Sequence, residues 1–241
     1  MKTVTLNTWG TSGPFEDRWH YLLEEMGKIK LDVICLQEVF EPTLVRKIEK
    51  IFHYVPIPCY EAGLVILSRF PVIAQEVLKY ETRSPLEEYD RRALLVAIKM
   101  ERTNLLIVNT HLAWKPEDGA TRLEQAKELI RSVQKKAMPS LIAGDFNDTP
   151  ESESIRTIQE AGFCDLFGRL HAGEAGLTWD NRNPFMNDHA VKLPDRRIDY
   201  LFASKDLVLS GSLAKCEVVF NHPNTNGIYP SDHYGVFAEF E

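Results

Sequence analysis

Ser140-Leu141-Ile142-Ala143-Gly144-Asp145-Phe146-Asn147 is the stretch on which the fold turns. Its apolar, nearly unbroken start reads as a strand buried on both faces, and its end carries a carboxylate and a carboxamide. Upstream, Thr121–Lys136 places Leu123, Ala126, Ile130 and Val133 on one helical face, and Pro139 stops it. Further upstream, Ala93–Met100 and Asn104–Leu112 read as strands joined by the turn Glu101-Arg102-Thr103, a hairpin signal. Downstream, Ser152–Ala161 reads as a short helix closed by Gly162. A hairpin, a helical crossover and a buried strand in succession imply a mixed sheet with helices outside it.

The same alternation extends along the chain. Val4–Thr8 and Asp32–Val39 read as strands on either side of a helix, Glu16–Lys30, with Trp19, Leu22, Leu23, Met26 and Ile29 on one face. Leu44, Val45, Ile48, Ile51 and Phe52 mark a second helix, and Gly63–Ser68 and Val72–Tyr80 are strands around Arg69-Phe70-Pro71. Ile198–Ser204, a stretch within Leu207–Phe220, and Tyr234–Glu241 complete the strands. Long polar loops remain at Glu81–Arg91, Ala113–Gly119, Trp179–Arg196 and Asn221–Ser231, and loops of that length are often functional. No repeat or linker interrupts the pattern, so residues 1–241 read as one catalytic domain.

The composition is that of a soluble globular protein: 44% apolar and 26% charged among 241 residues. It excludes collagen-like, disordered and membrane-spanning classes. With 28 Lys+Arg against 35 Asp+Glu, the net charge of −7 excludes a broadly basic nucleic-acid binder but not a local basic cleft, and it suits a cation held among carboxylates. Cys35, Cys59, Cys164 and Cys216 form no C-x-x-C pair and read as free thiols. The first residues carry no apolar leader and the last no apolar tail, so the expectation is a cytoplasmic protein without a transmembrane segment.

Polar groups recur where strands end. Asn7, Glu38, Asn109, His111, Asp145, Asn147, Asp199, Asp232 and His233 all abut apolar runs. Ionisable groups in such contexts need partners or a cation. Carboxylates with Asn and His, and no thiolate cluster, suit Mg²⁺ or Mn²⁺, and such a set suits hydrolysis of a phosphoester. There is no G-x-x-x-x-G-K-[ST] loop and no G-x-G-x-x-G, and Gly211-Ser212 lacks the G-x-S-x-G form of a serine hydrolase.

Six segments in order, Leu6-Asn7-Thr8-Trp9-Gly10, Leu36-Gln37-Glu38-Val39, Asn109-Thr110-His111-Leu112, Gly144-Asp145-Phe146-Asn147, Arg197-Ile198-Asp199-Tyr200 and Ser231-Asp232-His233-Tyr234, resemble the endonuclease/exonuclease/phosphatase superfamily. The resemblance implies a pancreatic-deoxyribonuclease-like α/β fold, a four-layer sandwich of two mixed central β-sheets flanked by helices. It also implies a divalent-metal-dependent phosphoesterase. Carried over, Glu38 is the main metal ligand, aided by Asn7 and Asp232. Asp145 activates or orients the attacking water, and Asn147 holds the phosphate or the nucleophile. His233 contacts the scissile phosphate with Asp199 behind it, and His111 donates to a non-bridging oxygen or the leaving group. An arginine before the strand Ala93–Ile98 faces the phosphate in many relatives, which points to Arg91, and Glu88 and Asp90 are candidate partners for His111. Plainer readings stand beside these. Asp145 and Asn147 could form only an Asx turn, and Asp199 could pair with Arg196 or Arg197. His20, His53, His171, His189 and His222 have no motif context.

The superfamily core does not choose a substrate. Thr178-Trp179-Asp180 is similar to a segment of tyrosyl-DNA phosphodiesterases, while Arg197-Ile198-Asp199-Tyr200 is also similar to neutral sphingomyelinases. Trp179 with Trp114, Lys115, Arg182, Phe185 and Arg196 could form a nucleic-acid cleft. The expectation is a monomeric phosphodiesterase with nucleic acid favoured over phospholipid, the third alternative being a catalytically silent binding module.

Overall fold

The computed structural model describes every residue except Arg102, at the centre of the expected hairpin turn, and Gly211, of the Gly211-Ser212 pair. In chain order the elements are β1 (Lys2–Asn7), α1 (Phe15–Lys28), β2 (Val33–Gln37), α2 (Thr43–Phe52), β3 (Val55–Cys59), β4 (Leu64–Ser68), β5 (Val72–Lys79), β6 (Arg92–Lys99) and β7 (Asn104–His111). There follow α3 (Gly119–Gln134), β8 (Ser140–Asp145), α4 (Glu153–Glu160), β9 (Phe163–Asp165), α5 (Leu166–Leu170), β10 (Asp199–Ser204), α6 (Lys205–Ser210), β11 (Leu213–Val219) and β12 (Gly235–Phe240).

Two six-stranded sheets result, in the orders β11-β12-β1-β2-β4-β3 and β5-β6-β7-β8-β10-β9. Each contains one parallel pair, β1 with β2 and β7 with β8, and each such pair needs a helical crossover, here α1 and α3. Strand periodicity then divides the side chains. Leu141, Ala143, Leu201 and Ala203 join Cys35, Ile66 and Val236 in a core between the sheets. Ile142, Tyr200 and Phe202 face the other way, under Ala126, Leu129, Ile130, Ile155 and Ile158 of α3 and α4. On the far side, Trp19, Leu22, Leu44 and Ile48 of α1 and α2 cover Val4, Ile34 and Leu36. The layers run helix, sheet, sheet, helix, as the resemblance implied.

Four elements were not expected. The β3 strand carries Pro56 and Pro58, which cannot donate to a ladder, and it lies at a sheet edge where that is tolerated. The β9 strand and the helices α5 and α6 are too short to show a period. The four cysteines are free, and among the described residues no helix is long and apolar enough to cross a membrane.

Both parallel pairs end on polar residues in register, Asn7 beside Gln37 in one sheet and His111 beside Asp145 in the other. Asp199 opens β10 opposite Asp145, and His233 precedes β12. Gly144 makes this approach feasible: at φ 153°, a Cβ there would lie 2.1 Å from the Thr110 carbonyl oxygen. Gly144→Ala is therefore expected to lower stability by about 3 kcal/mol through a forced backbone shift, read by urea unfolding. An unchanged midpoint would show that the β7–β8 pairing does not need the glycine.

Candidate active site

At the carboxyl ends of the parallel strands lies a cleft of about 320 Å³, lined by Asn7, Glu38, Arg91, His111, Asp145, Asn147, Trp179, Asp232 and His233 among others. Of the candidates read from the sequence, Asn7, Glu38, Arg91, His111, Trp114, Asp145, Asn147, Trp179, Arg196, Asp232 and His233 line it, and Asp199 lies behind His233.

The Asn7 side chain joins the sheets. Its Nδ2 donates to Glu38 Oε1 and to Asp145 Oδ2, each at 3.0 Å, while Oδ1 accepts from the Trp9 N–H. Asp145 Oδ1 accepts from the Asn147 N–H at 2.9 Å, so the Asx turn exists and is what aims the other oxygen inward. Asp145 Oδ2 lies 3.4 Å from His111 Nε2 and 3.9 Å from His233 Nε2. Asn147 Nδ2 donates to the Leu112 carbonyl, tying the turn to the end of β7. Trp9, Glu38 and Asn147 adopt left-handed backbone conformations, at φ 55°, 58° and 53°. Such strain costs about 1–2 kcal/mol per residue and gathers at functional sites.

His233 Nδ1 and Asp199 Oδ2 are 2.9 Å apart, which leaves Nε2 facing Asp145. The Trp179 indole meets the His233 ring edge to face at 5.1 Å. Burial opposes a charge on His233, but Asp199, Asp232 and Asp145 outweigh it and hold its pKa well above the usual imidazole value. His111 goes the other way: burial, then the charges of Arg91 and His233, keep it neutral. Burial and Asp199 push Asp145 up to about 6, and burial and Asp232 raise Glu38.

Several expectations need correction. Asp90 pairs with Lys79 and Arg83, and Glu88 is exposed, so neither supports His111, whose near carboxylate is Asp145. Asp199 pairs with neither Arg196 nor Arg197, because Arg197 is committed to Asp165. Arg182 folds onto its neighbour Asp180, outside this cleft, and Phe185 is buried against Trp9. Trp114 does line the cleft, with Lys115 Nζ 4.0 Å from its ring.

Other residues escaped sequence reading. His189, an isolated histidine in a long loop, lies 2.9 Å from Asp232 Oδ2 and against the Trp9 and Trp179 rings. Asp232 Oδ1 accepts from the His233 N–H and the Ser231 hydroxyl, so both of its oxygens are engaged. Glu87 holds Arg91 through two contacts, 2.7 and 3.2 Å, and accepts from the Trp114 N–H. Arg122 donates to Asp148 and to the Ala113 and Lys115 carbonyls, joining the loops after β7 and β8.

The donor set fits a divalent cation. Glu38 takes one hydrogen bond, from Asn7, and no ion pair among the described residues, while burial and neighbouring carboxylates disfavour its charge. Hard oxygens in that condition suit Mg²⁺ or a similar ion. Asp145, Asp199 and His233 also converge within 4.8 Å, but Asp199 Oδ2 is already bound to the imidazole.

The model of the Endonuclease/Exonuclease/phosphatase family matches residues 4–233. The chain belongs to this family. The family is one of divalent-metal-dependent phosphoesterases, and the chain is a hydrolase of phosphate esters. It is 26% identical over 170 residues to protein angel homolog 2 of Danio rerio, covering 61% of this chain and 30% of that protein. It is 21% identical to tyrosyl-DNA phosphodiesterase 2 of Gallus gallus, over 99% of this chain and 67% of that one. A Danio rerio TDP2 structure in complex with a single-stranded DNA product shares the fold, with a TM-score of 0.83 at 20% identity, over 100% of this chain and 98% of that one.

The dyad geometry has a direct readout. His233 should stay protonated through neutral pH in the metal-free protein, and Asp199→Asn should lower its pKa, followed by NMR titration of the ring. The sign for stability follows: with the folded pKa raised, the pair stabilises fully below the unfolded value, and this is lost as pH rises through the folded value. A ring in Asp199→Asn that titrates as in the parent would remove Asp199 from this role.

Proposed function

We propose that residues 1–241 act as one catalytic domain that hydrolyses phosphodiesters of nucleic acid by in-line attack of water. The observation that carries this reading is the shared cleft. Asp145, His111 and His233 meet there between walls bearing Trp114, Trp179, Tyr89, Arg91 and Arg196. Aromatic faces stack bases and guanidinium groups hold phosphates. The relative solved with a single-stranded DNA product supports the choice of nucleic acid. The unpaired cysteines fit a reducing compartment such as the cytoplasm.

Glu38 and Asn7, with Asp232 beside them, would hold Mg²⁺ or Mn²⁺, which supplies charge neutralisation at the phosphate when bound. Asp145 Oδ2 orients the attacking water and accepts its proton; its raised pKa keeps it a base near neutrality. The Asn147 N–H fixes the other oxygen, so the acceptor stays aimed. His233, kept cationic by Asp199, donates from Nε2 to a non-bridging oxygen, where charge grows during transfer. His111, neutral and beside Arg91, faces the leaving-group side.

Asp145→Asn and His233→Ala should each lower kcat by about 10²–10⁴-fold, the usual contribution of a positioned acid or base, with the fold intact by circular dichroism. Near-normal turnover by either folded variant would sink the assignment. With Mg²⁺, single-stranded DNA or RNA should be cleaved and EDTA should stop it. Turnover of sphingomyelin alone would overturn the nucleic-acid reading, and no turnover of any phosphodiester would leave a binding module.

A further inference from the structure

Arginines at and behind the cleft are almost all committed. Arg91 is held by Glu87, Arg122 by Asp148, and Arg197 by Asp165 through two contacts of 3.0 and 2.8 Å. Arg18, wholly buried, donates to the carbonyls of Thr8, Trp9, Gly10, Ser12 and Pro230. Arg196 differs. Its guanidinium makes no hydrogen bond or ion pair with any described residue, whereas Arg197, whose Nε is likewise shielded without a partner, is held through both terminal nitrogens.

Arg196 is nevertheless held in place. Its N–H donates to the Trp179 carbonyl at 2.9 Å, and its own carbonyl accepts from Thr178 and Trp179 at 3.1 and 2.9 Å. Its guanidinium lies 5.8 Å from the Trp179 ring, at the lining of the cleft. A desolvated donor left unmatched is costly, and here the main chain and the indole fix the group that carries it. An anion is the missing complement. In the proposed function the scissile phosphate is met by His233 and His111, whereas Arg196 stands on the Trp179 wall.

Building on the nucleic-acid reading above, we propose that Arg196, stacked on Trp179, binds a second phosphate of the substrate, next to the one cleaved. The preferred substrate is then an oligonucleotide carrying at least two phosphates, and a single diester such as a one-phosphate lipid lacks the group that Arg196 reads.

The test is equilibrium binding in EDTA, followed by tryptophan fluorescence, since Trp179 adjoins the site. The probes are thymidylyl-thymidine, with one phosphate, and the same dinucleotide with an added terminal phosphate at the 5′ or the 3′ end. The native protein should bind one of the phosphorylated forms about tenfold tighter, as expected for a charge-assisted contact. Arg196→Met should bring that ratio close to one. Arg196→Lys should leave it intermediate, because an ammonium keeps the charge without the planar fork, and it serves if the methionine variant is unstable. Equal affinities in the native protein, or a ratio that survives Arg196→Met, overturn the proposal. Turnover of the same dinucleotides with Mg²⁺ separates the two readings. Hydrolysis without a phosphate preference in binding overturns the role of Arg196 alone. A preference lost in Arg196→Met, without hydrolysis, upholds that role and overturns the hydrolytic reading.

Discussion

The Asn109 carboxamide is wholly buried between the two sheets, donating to the carbonyls of Leu36 and Val65 at 2.8 and 2.9 Å and accepting from Gln37 Nε2 at 2.6 Å. The apolar core around it is non-directional and would tolerate a slide of one sheet over the other. The amide does not, because a buried polar group without its partner costs about 1–3 kcal/mol. Only one relative placement of the sheets satisfies it, and in that placement Asn7 reaches Asp145 at 3.0 Å across 138 residues of sequence. The cleft chemistry follows from this registration: a slip would part Glu38 from Asp145 and leave His111 and His233 facing different partners.

With the sheets fixed, three buried ionic groups latch the loops above them. Arg18 gathers the segment after β1 and, through Pro230, the segment that carries Asp232 and His233. Arg122 gathers the loops after β7 and β8. Glu87 binds the loop before β6 to the Trp114 backbone. Charges of this kind are poor stabilisers compared with apolar packing. Their effect here is geometric, since each satisfies groups from segments that share no strand and so gives the loops one arrangement.

The strand ends were legible because a strand's period of two fixes which side chain faces where, and an ionisable group on a buried run stands out against it. Asn7, Glu38, His111, Asp145, Asp199 and His233 were found that way. Asn109 shared the same signature, yet it holds the sheets together rather than facing the cleft: sequence shows that a buried polar group needs a partner and not which partner it has. The loop residues were illegible for a different reason. His189, Glu87 and Arg196 follow no period, and their positions depend on contacts with segments far away in the chain. Glu88 and Asp90 were therefore as good as Glu87 on paper, and only the folded loop turns Glu87 inward.

The net charge of −7 also takes on a different meaning inside the cleft. Surface acids beyond about 8 Å are screened at physiological ionic strength, so the local groups decide what binds. Most of those are matched, as Arg91 is by Glu87 and Asp199 by His233. Two are not: Glu38, an anion disfavoured by burial and by its acidic neighbours, and Arg196, a cation without an ion pair or a side-chain hydrogen bond among the described residues. A lone metal ion would relieve the first and add to the positive charge around the second. A lone phosphate would do the reverse. The ligand that relieves both is a polyanion that brings its cation with it, and the magnesium salt of a nucleic-acid strand has that composition. Metal and substrate should therefore bind with positive coupling, because each supplies the charge that the other site lacks.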